Sequence, residues 1–170
     1  RMRGRRAVET DAQRPLRHAL EVRHPSFMSA DFVALLHRYK VAAVLADSVA
    51  WPVIADVTAD FLYLRLHGSK KLYASGYGPA ALDRWARRIE DWAAGRDPSD
   101  LPLLDERQPR RPPRAIHVYF DNDAKVRAPA DAAALARRLG VAIPPPGPSV
   151  KSCPAESAAG SRRGGTGADY

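Results

Sequence analysis

The sequence predicts an α/β fold in which a parallel sheet is flanked by helices. Segments with the two-residue period or the continuous apolarity of strands alternate along the chain with amphipathic segments of helical period. The segment VAAVLAD (41–47) is apolar up to its last residue, which is typical of a strand covered on both faces of a parallel sheet. The alternation therefore predicts consecutive βα units joined by right-handed crossovers.

Each element follows from a local signal in the chain. Ser29 is placed as a helix N-cap, and Phe32, Leu35, Leu36 and Tyr39 then follow at the spacing of one helix face. The later helices end where glycines break the pattern. The predicted strands are 18–24, 41–47, 61–67 and 115–123, and the predicted helices after the first are 79–94 and 129–140.

Four such units make about half of a (β/α)₈ barrel, which typically takes about 250 residues. A doubly wound open sheet is the alternative fold. Its usual phosphate-binding signature is missing, because neither GxGxxG nor GxxxxGK[ST] follows any predicted strand. The sequence therefore favours a (β/α) barrel type of architecture.

Composition divides the chain into three parts. Residues 1–16 are basic and aperiodic and predict a flexible leader, residues 17–140 form the folded domain, and residues 141–170 are rich in Pro, Gly, Ser and Ala and predict a disordered tail. The leader lacks the apolar stretch of a secretory signal, and no apolar run is long enough to span a membrane. The single cysteine, Cys153, cannot form an internal disulfide. We therefore expect a cytoplasmic protein without membrane contact.

The net charge of +8 is concentrated at one end of the chain. Residues 1–17 hold six arginines against Glu9 and Asp11, so half of the excess lies in this N-terminal segment. A nucleic-acid-binding domain instead clusters its basic residues on one folded face. The charge therefore gives only weak support to a nucleic-acid partner.

Ionisable residues collect at the C-terminal ends of the predicted strands. In strand 61–67 the two-residue period places Arg65 and His67 on one face and leucines on the other. Glu21 and Arg23 share a face of the first strand, and the second and fourth strands end near Asp47 and Asp121. Parallel α/β folds place their active sites at these strand ends. We therefore expect the site there.

Four segments, in this order, resemble the DUF72 family: ALEVRHPSF, YLRLHGS with LYASGY, LDRWARRI, and HVYFDNDAKVRAPADAAALA. The resemblance covers about residues 17–140 and implies a TIM-barrel fold without an established activity. The family motifs fall on Glu21, Arg23, His24, Pro25, Ser26, Asp47, Arg65, His67, Gly68, Tyr73, Phe120, Asp121 and Asn122.

The chain departs from the family pattern in two ways. Asp121 stands where the family usually has Asn, which adds a negative charge at the mouth of the barrel. The opening GTSGW-like and QLPP-like strands of the family are absent, so the resemblance implies about the C-terminal half of a barrel, from a fragment or a truncated gene. Half a barrel has two open sheet edges, and we expect self-association through them.

The predicted function is an enzyme that acts on a small anionic molecule carrying a phosphate or carboxylate group. Arg23, Arg65, two lysines at 70–71 and the backbone at Gly68 suit such a group. His67 is the candidate acid or base, with Glu21 or Asp47 as its partner carboxylate. The other predicted substrate-binding residues are His24, Tyr73, Asp121 and Asn122. No cofactor is expected.

Three other interpretations compete with an enzyme. The charged residues could form only an ion-pair network that joins strand ends. Glu21, His24, Asp47 and His67 offer oxygen and nitrogen ligands for a metal, but Arg65 beside them disfavours a cation and no HExxH-like spacing is present. Non-catalytic nucleic-acid binding would use the leader, Tyr73, Tyr77 and the arginines at 110, 111 and 114.

Overall fold

The computed structural model describes residues 12–68, 76–106, 113, 115–122 and 126–143. Its sheet is parallel and contains β1 (Ala19–Leu20), β2 (Ala42–Asp47), β3 (Phe61–Leu66) and β4 (Ala115–Phe120), in that spatial order. Each crossover therefore leads to the neighbouring strand, as in a barrel, whereas a doubly wound sheet reverses its order. The predicted α/β class is confirmed.

Within the described residues, three helices accompany the sheet. They are α1 (Ala30–Tyr39), α2 (Pro79–Ala93) and α3 (Arg127–Arg138), and a 3₁₀ turn at Pro25–Phe27 precedes α1. Pro79 begins α2, where its missing N–H costs nothing. Gly95 and Gly140 follow α2 and α3 with φ of 75° and 65°, the left-handed conformation that glycine adopts without strain.

The pleat of β3 separates the apolar core from the polar face of the sheet. Leu62, Leu64 and Leu66 are buried against α2, which contributes Leu82, Trp85, Ile89 and Trp92 to the same cluster. The intervening residues of β3, Tyr63 and Arg65, are directed to the opposite face by the strand period. The core therefore lies between sheet and helices and leaves the other face of the sheet for a site.

The buried residues of α1 coincide only partly with the apolar face that the sequence predicts. The Ser29 hydroxyl accepts a hydrogen bond from the Phe32 amide at 3.2 Å, which confirms the predicted N-cap. Val33 and Leu36 are buried, however, while Leu35 and Tyr39 are exposed. Apolar residues occupy two overlapping stripes of this helix, and packing against Ala43 and Ile54 selects the stripe that contains Val33.

Some predicted boundaries also move. The first strand covers only Ala19–Leu20 of the predicted 18–24, because the chain turns into the 3₁₀ helix that begins at Pro25. Helix α3 begins at Arg127, two residues before the predicted start. Most of the predicted leader and tail lies outside the described residues, so the domain boundaries stay predictions. None of the described helices is long and apolar enough to cross a membrane.

Within the described sheet, β1 and β4 each pair with one neighbouring strand. Their outer edges present backbone groups that another strand can bind. The expected self-association through these edges stays a prediction.

Adjacent leucines of α1 test which face of this helix is buried. Leu36 is 4% exposed and Leu35 is 49% exposed, so the same substitution samples both environments. We expect Leu36→Ala to lower the free energy of unfolding by roughly 2–4 kcal/mol because it leaves a cavity, and Leu35→Ala to lower it by less than about 1 kcal/mol. Urea denaturation of both variants measures this. Equal losses would contradict the packing of α1.

Candidate active site at the ends of β1, β3 and β4

Arg65 lies at the centre of a cluster of charged side chains. It is the fifth residue of β3, and its Nη1 donates to Glu21 Oε2 at 2.6 Å. Its Nη2 forms an ion pair with Asp121 Oδ2. Glu21 follows β1 and Asp121 follows β4, so a single guanidinium connects the ends of three strands.

Glu21 carries a second arginine on its other oxygen. Arg23 Nε donates to Glu21 Oε1 at 2.9 Å, and Arg23 Nη2 lies 2.8 Å from the same atom. Burial alone would raise the pKa of Glu21, but the hydrogen bonds from Arg23 and Arg65 outweigh it and the pKa lies below its usual value. Glu21 is therefore a fixed negative charge at neutral pH and a weak base.

The pairing has the reciprocal effect on Arg65. Burial would lower the pKa of the guanidinium, but the hydrogen bonds to Glu21 and Asp121 raise it above its usual value. The side chain stays cationic in a partly buried position, where an unpaired charge would be costly.

His67 lies behind this cluster and is 0% exposed. Its Nδ1 is 3.5 Å from Asp121 Oδ2, and its Nε2 is 4.0 Å from Glu21 Oε2. Burial lowers the pKa of the imidazole, and the positive charge of Arg65 lowers it further, against the opposing effect of Asp121 and Glu21. His67 is therefore neutral at pH 7 and carries one N–H donor and one acceptor nitrogen.

An open depression of about 340 Å³ lies on the same face of the sheet. It is lined by Ala19, Glu21, Val44, Tyr63, Arg65, Tyr119 and Asp121. Tyr63 and Tyr119 stack with their ring centroids 4.8 Å apart and form its aromatic wall. A molecule in this depression would contact Arg65 and Asp121, while the buried His67 lies behind the lining.

Asp47 does not join the cluster. It is in register with Leu66 of β3, and Leu45 before it packs in the helix-facing core. Its Oδ2 accepts hydrogen bonds from Tyr77 Oη at 2.8 Å and from Trp85 Nε1 at 3.3 Å. Asp47 therefore joins β2 to the helix side of the sheet. The alternation of Ala43, Leu45 and Asp47 in the sequence contains this information, since all three share one face.

Tyr77 and Gly68 complete the contacts on the helix side. The Tyr77 hydroxyl accepts a hydrogen bond from the Gly68 amide at 2.9 Å while it donates to Asp47. Burial raises the pKa of Tyr77, and the nearby charge of Asp47 raises it further, so the hydroxyl keeps its proton. Gly68 has φ of 107°, a backbone conformation that residues with a side chain rarely adopt, and its amide is the donor to the Tyr77 hydroxyl.

The remaining predicted site residues lie apart from the depression or outside the described residues. His24 Nδ1 accepts a hydrogen bond from the Ser26 amide at 3.2 Å and caps the 3₁₀ turn. Asn122 is buried, and its Nδ2 donates to Asp131 Oδ2 of α3 at 2.7 Å. Tyr73 and the lysines at 70–71 belong to the segment that the structure does not describe.

Sequence reasoning missed Trp51, which lies between β2 and β3. Its ring contacts His67 edge to face, with 4.9 Å between centroids and 85° between planes. Nothing in a strand or helix period marks this position, and an aromatic residue within a connection was the only signal.

Among the residues that the structure covers, no group of three or more His, Cys, Asp or Glu side chains is arranged to hold a metal ion. Two of the candidate metal ligands, Glu21 and His67, lie beside Arg65 instead.

The hydroxyl of Tyr77 can be tested by its removal. We expect Tyr77→Phe to lower the free energy of unfolding by roughly 1–3 kcal/mol, because the Gly68 amide and Asp47 both lose a buried partner. Tyr119→Phe is the matched control: its side chain is exposed, and the expected loss is within about 0.5 kcal/mol. Urea denaturation of both variants measures the difference, and a neutral Tyr77→Phe would contradict the assigned hydrogen bonds.

Comparison with known proteins identifies the family of this chain. The chain matches the model described as "Protein of unknown function DUF72" over residues 5–154. No curated protein matches it.

Solved structures share the fold at low sequence identity. A DUF72 family protein from Enterococcus faecalis V583 is 16% identical, with a TM-score of 0.59 over 76% of this chain and 49% of its own. A DUF72 family protein from Thermotoga maritima MSB8 is 19% identical, with a TM-score of 0.60 over 74% of this chain and 47% of its own. The chain thus spans about half the length of these structures. The predicted fold, about half of a (β/α) barrel, is confirmed, and the chain belongs to the DUF72 family.

Proposed function

We propose that the depression beside Arg65 binds the anionic group of a small-molecule substrate, which is phosphate or carboxylate, and that Asp121 acts on the substrate as a general acid or base. The observation that carries this proposal is the placement of Arg65. Its guanidinium lines an open depression at the strand ends while two carboxylates hold it in one orientation.

The two arginines retain capacity for a ligand. Arg65 is engaged through one contact on Nη1 and one on Nη2, and a guanidinium has further N–H donors beyond these. The Arg23 side chain is 56% exposed and forms an ion pair with Glu21. Fork-shaped guanidinium donors suit the oxygens of phosphate and carboxylate.

The charge balance of the cluster is compatible with an anion. Arg23 and Arg65 offset Glu21 and Asp121, and His67 is neutral at pH 7. An anion bound at Arg65 therefore does not meet a net negative site. Its charge would also favour protonation of the nearby imidazole, so binding and proton uptake are expected to be coupled.

The structure supports a different division of acid–base roles from the one that the sequence suggested. His67 is fully buried and cannot touch a molecule in the depression, and Asp47 lies on the helix side. Asp121 is 29% exposed and lines the depression, and its Oδ2 faces Arg65 and His67. Asp121 is thus the group placed to exchange a proton with substrate, and His67 supports it from behind. Glu21 contributes a fixed negative charge.

A nucleic-acid partner receives no specific support from the described residues. Tyr77, one of the two tyrosines expected to stack on bases, is buried with its hydroxyl bonded to Asp47 and Gly68. Tyr73, the arginines at 110, 111 and 114 and most of the leader lie outside the described part of the chain. Cytoplasmic localisation stays a prediction.

Phosphate binding tests the role of Arg65. We expect Arg65→Gln to weaken the binding of inorganic phosphate by about tenfold or more, because charge-assisted hydrogen bonds are lost. Arg88→Gln is the matched control: Arg88 forms hydrogen bonds with Asp100 and lines a different part of the surface. Isothermal titration calorimetry, with folding checked by circular dichroism, measures both. Equal affinities for the two variants would refute the assignment.

Turnover tests the role of Asp121. In a screen of phosphorylated and carboxylated small molecules, we expect Asp121→Asn to reduce the turnover of an accepted substrate by roughly 100-fold or more, since a general acid or base contributes about that factor. Asp47→Asn makes the same chemical change on the helix side and should retain most of the turnover. Phosphate binding by the unchanged protein without turnover of any tested compound would favour the alternative, a non-catalytic binding protein or an inactive fragment.

A further inference from the structure

We propose that Trp51 is a positioning residue of this site: held by Arg23, it keeps the His67 ring in place against Asp121 and away from water. This inference deepens the proposed function and rests on it for its catalytic meaning. The contacts themselves are independent of any ligand.

The contacts form a closed circuit of side chains. Trp51 meets His67 edge to face at 4.9 Å, and the Arg23 guanidinium carbon lies 4.0 Å from the centroid of the Trp51 ring. Arg23 is bound to Glu21, which binds Arg65, and Arg65 pairs with Asp121 beside His67. A displacement of the indole would therefore alter its contacts with both His67 and Arg23.

Arg23 is suited to hold the indole because of its shape. Its planar guanidinium stacks on the ring face while Nε and Nη2 remain on Glu21 Oε1 at 2.9 and 2.8 Å. A guanidinium over an aromatic face is attracted by the ring quadrupole. The lysine ammonium has no planar group to stack on the ring, and its donors all lie on one nitrogen, so the two cations are not equivalent here.

The environment of His67 explains why its cover matters. The charged groups that face it are Glu21 after β1, Asp121 after β4, Arg65 of β3 and Arg23. Burial is the largest influence on the imidazole and lowers its pKa, which keeps the ring neutral beside Asp121. Removal of the indole would admit water and weaken this influence, so the ring would become easier to protonate.

Nuclear magnetic resonance titration of the histidine rings tests the proposal without any ligand. His67 is assigned among the five histidines by the signal lost in His67→Gln. We expect the pKa of His67 to rise by about half a unit or more in Trp51→Ala, toward its usual value, and to rise less in Trp51→Phe, which keeps an aromatic edge. Arg23→Lys keeps the charge but loses the stacking plane, and it should shift the pKa in the same direction by a smaller amount.

Each outcome bears on a stated part of the proposal. An unchanged His67 pKa in both Trp51 variants would overturn it, and a shift in Trp51→Ala with none in Arg23→Lys would overturn the role of Arg23. If Trp51→Ala does not fold, Trp51→Phe and Arg23→Lys still decide the matter. Because the titration uses no phosphate, a failure of inorganic phosphate to bind would count against the proposed function alone. The affinity for inorganic phosphate, measured across pH, should depend on pH differently in Trp51→Ala than in the unchanged protein. A purely structural role of Trp51 would leave this pH dependence unchanged.

Discussion

The polar side of this structure depends on one arginine held between two carboxylates. Arg65 leaves β3 on the face opposite the leucine core and meets Glu21 and Asp121 from the ends of β1 and β4. A charge in a partly buried position is tolerated only when it is paired, so none of the three can be considered alone. The pairing keeps Glu21 negative and Arg65 positive. Burial lowers the pKa of His67, and the positive charge of Arg65 lowers it further against the opposing effect of Asp121 and Glu21.

The two faces of the sheet carry separate polar systems with different consequences. On the helix side, Asp47 accepts hydrogen bonds from Tyr77 and Trp85 among buried apolar residues, and this contributes to the packing of α2. On the other face, Arg65 and Asp121 border an open depression that a molecule can enter. The strand period assigns each to its face, and only the open face combines charge with access.

The relation to the DUF72 structures gives the depression its context. This chain spans about half the length of the solved family members that it resembles, so its sheet corresponds to about half of theirs. The proposed site lies at the strand ends, where barrels place their chemistry. The family has no established function, and the chemistry proposed here therefore rests on the side chains of this chain alone.

The sequence by itself determined the order of strands and helices, the N-cap at Ser29 and the placement of Arg65 and His67 on the face opposite the leucines, because each depends on local period or local hydrogen bonding. It also indicated that Glu21 and Asp121 would meet Arg65, since parallel strands end at one edge. Tertiary structure alone decided that Leu36 and not Leu35 is buried, that Trp51 covers His67, and that Asp121 and not His67 faces the depression. These outcomes depend on which neighbours a side chain meets across the fold, and no spacing within one segment contains that information. The face of the sheet that Asp47 occupies is an intermediate case. The two-residue period of the strand in the sequence already indicates this face, and the register with β3 shows it directly.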